Sequence, residues 1–159
     1  GADLVIVGEG PLRQGLLAAA RDAGVADRVR IVANVLQDRL VTYYTAADLS
    51  LLTSRHEGMP NVVLESLACG TPVVATVVEG VPELLDQPAA GELVPERTPA
   101  ALAAGINRLL ARPPDRAATR RHAAGLGWAP TIAGLAEVLE QAVRGRGAAS
   151  EAAVSSPAS

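Results

Sequence analysis

The segment Glu57-Gly58-Met59-Pro60-Asn61-Val62-Val63-Leu64-Glu65 carries two carboxylates separated by seven residues. Residues 53–60 are polar and turn-forming, and Asn61 is a residue type that opens helices. Glu57 is therefore expected in a loop and Glu65 on the helix that follows. A helix start offers unbonded backbone N–H groups and the positive end of the macrodipole, a natural seat for phosphate. Gly58, with no side chain, lets a ligand approach the backbone. Asn61 either caps the helix or donates to a ligand hydroxyl. Glu65 stands among Val62, Val63, Leu64, Leu67, Ala68 and Cys69, where a buried carboxylate is costly unless partnered. The vicinal hydroxyls of a ribose would supply partners. A Glu that simply faces solvent fits the pattern equally well.

The elements that must position these groups alternate in type. Residues 2–7, a β-branched run stopped by Gly8, read as a buried strand, and 29–32, 49–52 and 72–75 as further short strands, with 92–94 as a fifth. Helices are expected from Pro11 to Gly24, over 37–47, 62–69 and 99–111, then over 115–124 and 131–144. Gly24 and Gly70 suit the position just past a helix end. Alternation of this kind predicts an α/β fold with a Rossmann-like parallel sheet flanked by helices. Ligands of such sheets bind at the carboxyl ends of the strands, and loop 53–60 leaves one such end. One domain is expected over 1–144, with the small and polar residues 145–159 as a disordered tail.

Composition narrows the chemistry. All 14 basic residues are arginines, which removes the lysine of a P-loop or a Schiff base. A net charge of −3 argues against a nucleic-acid partner. The single cysteine, Cys69, excludes an internal disulfide, and His56 and His122 are far apart, so no metal site is expected. No apolar run approaches the ~20 residues that span a bilayer. Gly8-Glu9-Gly10 lacks the third glycine of a dinucleotide fingerprint. His56 reads as a plain loop residue and Cys69 as a packing residue. Gly1 at the start and a lone Met59 lead us to expect a piece of a longer chain.

Tyr44-Thr45-Ala46-Ala47-Asp48, the run from Ser54 to Ala75, Gly80-Val81-Pro82-Glu83, Gly91-Glu92-Leu93-Val94 and Val5-Ile6-Val7-Gly8-Glu9-Gly10-Pro11 together resemble the donor-binding, C-terminal domain of family 4 retaining glycosyltransferases. The likeness covers roughly 2–143. It implies the C-terminal half of a GT-B architecture, lacking its first strand-helix unit, and an N-terminal acceptor domain elsewhere in the parent protein. It also implies a nucleotide-diphosphate sugar as donor substrate, no metal and no further cofactor. Glu57 would hold the donor sugar near its reacting carbon, and Glu65 the ribose hydroxyls. Gly58, Met59, Pro60, Asn61 and Val62 would face the sugar and diphosphate. Val35 would contact the base through its backbone.

The resemblance implies a cytoplasmic enzyme, with contact to the inner membrane face through the parent protein left open. The isolated chain is expected to be inactive, because the basic residues that neutralise the diphosphate in the family have no counterpart here. Glu79 stands where the family commonly has a second glycine, and Ala33-Asn34 replaces a glycine-containing pair before Val35. Two rival readings remain: a non-catalytic nucleotide-sugar-binding module or remnant, and a sugar-nucleotide epimerase of GT-B shape. The sequence does not name the sugar, the base or the acceptor.

Overall fold

The computed structural model describes residues 1–154. Within the stretch read as one domain it distinguishes two compact units, Gly1–Ala47 and the chain from Asp48 onward. The five expected strands are all present, but they pair as a two-stranded and a three-stranded sheet rather than as one.

In the first unit, β1 (Leu4–Val7) pairs in parallel with β2 (Val29–Val32), Leu4 opposite Val29 and Val7 opposite Val32. Helix α1 (Arg13–Asp22) connects them, and α2 (Gln37–Ala46) follows. Pro11 does not begin α1. The Arg13 N–H closes a turn on the Gly10 carbonyl at 3.1 Å, and Leu12 takes the cap position. Beyond Asp22 the chain closes as Gly24 predicts. Its N–H bonds the Arg21 carbonyl and that of Val25 bonds Ala20, both at 2.9 Å, the paired bonds of a glycine-terminated helix.

The second unit contains β3 (Ser50–Leu52), α3 (Asn61–Ala68), β4 (Val73–Thr76), β5 (Gly91–Val94), α4 (Pro99–Ala111), α5 (Arg116–Gly125) and α6 (Trp128–Val154). The strand order is β3-β4-β5, all parallel. Every residue of the central strand β4 is buried. Its side chains alternate between two cores, as the pleat requires. Val73 and Ala75 join Leu52, Val63, Leu67, Val81, Leu84, Leu85 and Ala90 on one side, and Val74 joins Val94 and Leu109 on the other. Helix α4 packs on β4 and β5. Thr98 caps it by accepting from Ala101, and Asp115 caps α5 by accepting from Ala117 and Ala118.

Helix α6 is described through Val154, past Arg144, where the sequence pattern ends it. The remainder of the expected tail, 155–159, lies outside the described residues. Among the described residues no helix is long and apolar enough to cross a membrane.

Ser66 ties α3 to the sheet from a fully buried position. Its hydroxyl donates to the Thr71 carbonyl at 2.8 Å and lies 2.7 Å from Ser50 Oγ. With its proton committed to Thr71, it accepts from Ser50. Ser66→Ala therefore removes both bonds at a fully buried position. It is expected to lower stability by about 1–3 kcal/mol, read as a shifted urea midpoint at constant slope. An unchanged midpoint would show that this bridge contributes nothing.

Candidate functional site

Because β3 and β4 are parallel neighbours, the loops that leave them emerge at the same end of the sheet. Loop 53–60 leaves β3, and the segment 77–81 leaves β4. Three contacts order the first of these loops. The buried Thr76 donates its hydroxyl to the Ser54 carbonyl at 2.9 Å. Ser54 in turn donates its own hydroxyl to Glu57 Oε1 at 2.6 Å. Gly80, at φ 76°, lies so near the Gly58 carbonyl that a Cβ there would collide with it. The loop that carries the first carboxylate is thus held from below by β4 and from the side by the turn after β4.

Pro60 ends the loop in a buried position and occupies the cap of α3, which has no side-chain cap. The capping role open to Asn61 is therefore excluded. Pro60 stands where a cap would, and Asn61 is the first helical residue with its side chain exposed. Val63 bonds the Pro60 carbonyl at 2.9 Å, while the N–H groups of the first turn have no earlier turn to bond. Gly58, Met59 and Val62 are exposed around this terminus, and Glu57 is half-buried. Glu65, one turn along α3, is half-buried too.

One continuous loop-helix segment thus carries Glu57, Gly58, Met59, Pro60, Asn61, Val62 and Glu65. Such a segment offers carboxylate acceptors for sugar hydroxyls on either side of a helix start that favours an anion. Val35 belongs to the first unit, half-buried just after β2. Asn34 before it adopts φ 51°, a left-handed conformation that Asn tolerates far better than bulky residues. The exchange at Ala33-Asn34 therefore keeps the backbone turn that a glycine would supply.

Ser54 and Thr76 were not singled out from sequence as parts of the site. A weak signal existed for Ser54: it stands three residues before Glu57 in a turn-forming segment, within reach of that carboxylate. Thr76 carries no such signal, because it reaches the loop only through the pairing of β3 with β4. His122 lies apart from the site. Its side chain is 5% exposed, and Nε2 donates to the Leu84 carbonyl at 2.8 Å, with Asp86 at 3.7 Å. Among the described residues no three His, Cys, Asp or Glu side chains are grouped to hold a metal ion.

Residues 1–112 match the family model described as glycosyl transferases group 1. The chain is 41% identical over 141 residues to a D-inositol 3-phosphate glycosyltransferase of Thermobispora bispora, covering 86% of this chain and 33% of the relative. It is 38% identical to one of Salinispora arenicola, covering 90% and 34%. The chain thus spans about one third of the length of these curated relatives. Among solved structures, sucrose-phosphate synthase from Thermosynechococcus elongatus superposes with a TM-score of 0.74 at 28% identity, over 90% of this chain and 39% of that one. An Anabaena HepE protein in complex with UDP gives 0.69 at 24% identity, over 88% and 41%, a likeness of fold. These neighbours have the GT-B architecture, and the α/β organisation with parallel sheets matches their C-terminal domains.

Proposed function

This chain belongs to the group 1 glycosyl transferases, and on that premise we propose that it is the donor-binding part of a retaining enzyme that moves a sugar from a nucleoside-diphosphate sugar to an acceptor. One observation carries the reading: Glu57 and Glu65 flank the start of α3, at the carboxyl end of a parallel strand. The diphosphate takes the helix start, where fixed dipoles stabilise it as a leaving group. Glu57 accepts from the hydroxyls of the transferred sugar, and Glu65 accepts from the ribose. Gly58 and Met59 line the sugar side with backbone, Pro60 sets the chain direction into the helix, and Asn61 and Val62 offer N–H groups. Val35, in the first unit, is assigned to the base by the resemblance alone.

The acceptor domain lies in the rest of the longer protein under this proposal, and the chain by itself does not transfer sugar. The acceptor named for the relatives, D-inositol 3-phosphate, is the first to try with that longer protein.

The test is ligand-observed NMR of the chain with UDP, GDP and ADP and their common sugar conjugates, repeated on Glu65→Gln. Replacing the carboxylate removes a charge-assisted bond to the ribose, so affinity for the preferred nucleotide should fall about tenfold. Binding of one base that the substitution weakens supports the reading. Equal binding by Glu65→Gln removes Glu65 from the site, and no binding of any nucleotide rejects the donor-site proposal for this chain.

A further inference from the structure

A carboxylate in a loop has several rotamers, and a group that must meet one sugar hydroxyl gains from being held in one of them. Glu57 has a device that does this. Thr76, 2% exposed on the central strand, donates to the Ser54 carbonyl at 2.9 Å. That bond fixes the backbone of Ser54, whose hydroxyl donates to Glu57 Oε1 at 2.6 Å. On the other side, the left-handed turn at Gly80 lies so close to the Gly58 carbonyl that a Cβ there would collide with it and come within 3.5 Å of Pro60 Cδ. A side chain at position 80 would push the Gly58 peptide out of place. The order built into β4 thus reaches the loop by two routes, one through hydrogen bonds to Glu57 and one through contact with Gly58.

We infer that Ser54 is a positioning residue for Glu57, with Thr76 and Gly80 fixing the loop that carries both. The inference rests on the donor-site reading, in which Glu57 meets the sugar. A hydroxyl donor occupies one oxygen of the carboxylate and leaves the other to accept from the ligand. Thr at position 54 keeps the donor, and Ala removes it without altering a packed core, because Ser54 is only half-buried.

Two measurements separate the inference from the reading beneath it. The first needs no ligand: three-bond couplings along the Glu57 side chain, measured on the whole chain. They should report one rotamer in the parent sequence, averaging in Ser54→Ala, and one rotamer again in Ser54→Thr. Unchanged couplings in Ser54→Ala overturn the inference whatever the ligand data show. The second is affinity for a nucleoside-diphosphate sugar relative to the bare nucleoside diphosphate. Ser54→Ala should lose about tenfold of the affinity that the sugar adds, Ser54→Thr should recover it, and nucleotide affinity should not move. If Glu57→Gln loses the sugar increment and Ser54→Ala keeps it, the positioning role fails and the donor reading stands. If Glu57→Gln itself changes nothing, or the sugar adds no affinity at all, the donor reading fails and Ser54 loses the role that depends on it.

Discussion

Under the proposed donor role, Glu57→Gln in the full-length protein should lower kcat for sugar transfer by about two to three orders of magnitude while leaving nucleotide affinity and the unfolding midpoint nearly unchanged. The scale is that of removing one preorganised electrostatic contact to the reacting group. Glutamine keeps the length and an acceptor oxygen, so the bond from Ser54 at 2.6 Å can be retained and the loop need not move. What disappears is the negative charge beside a sugar whose anomeric centre becomes electron-poor as the diphosphate leaves. That loss weakens the contact with the bound sugar and costs more in the transition state, so kcat falls and KM for the nucleotide sugar rises by a smaller factor. Under the proposed donor role the diphosphate and ribose contacts belong to α3, beyond the substitution, and the nucleotide should bind as before. A steady-state comparison with the Kd of the nucleoside diphosphate decides it. An equal fall in kcat/KM and in nucleotide affinity would mean that the loop had collapsed, and unchanged kcat would remove Glu57 from the chemistry.

Much of this site can be read from sequence because its residues are local. Glu57, Gly58, Pro60 and Glu65 occupy one continuous stretch, so loop and helix follow from residue type and spacing. The strands are equally legible, since each is a short run with apolar residues bounded by polar or turn-forming ones. What the sequence conceals is non-local. The division of five strands into two groups depends on pairing between segments, and nothing in β1 or β2 alone states which strand it pairs with. Thr76 reaches Ser54 only because β3 and β4 lie side by side. The start of α1 is hidden for a different reason. Pro11 is compatible both with a first helical turn and with the turn that precedes it, and the bond from Arg13 to Gly10 selects the second. The start of α3 likewise shows a suitable cap residue one place too late, at Asn61.

The largest effect on folding should come from Gly91→Ala, a change of one methyl group. Gly91 opens β5 at φ 137°, a conformation that an L side chain rarely adopts. An added Cβ would run into the backbone of Val73, its carbonyl first and its nitrogen at 2.6 Å. Val73 cannot retreat. It is 1% exposed, it lies in the central strand, and its N–H bonds the Ala90 carbonyl at 2.9 Å. Relief would require β5 to move off β4, opening a parallel ladder whose register starts at this pair. It would also uncover the core that Val94 shares with Val74 and Leu109. Strained backbone, lost ladder bonds and lost packing act together, so the cost should exceed about 4 kcal/mol. That is a large part of what a domain of this size possesses, and the expected product is insoluble or lacks dispersed amide resonances. Gly15, inside α1 with open space where its Cβ would be, is the control. Gly15→Ala should stabilise by about 0.5–1 kcal/mol, since alanine favours the helix. If Gly91→Ala instead folds with a urea midpoint near that of the parent, β5 is not held against β4 at this residue, and the close approach of the two strands is not a condition of the fold.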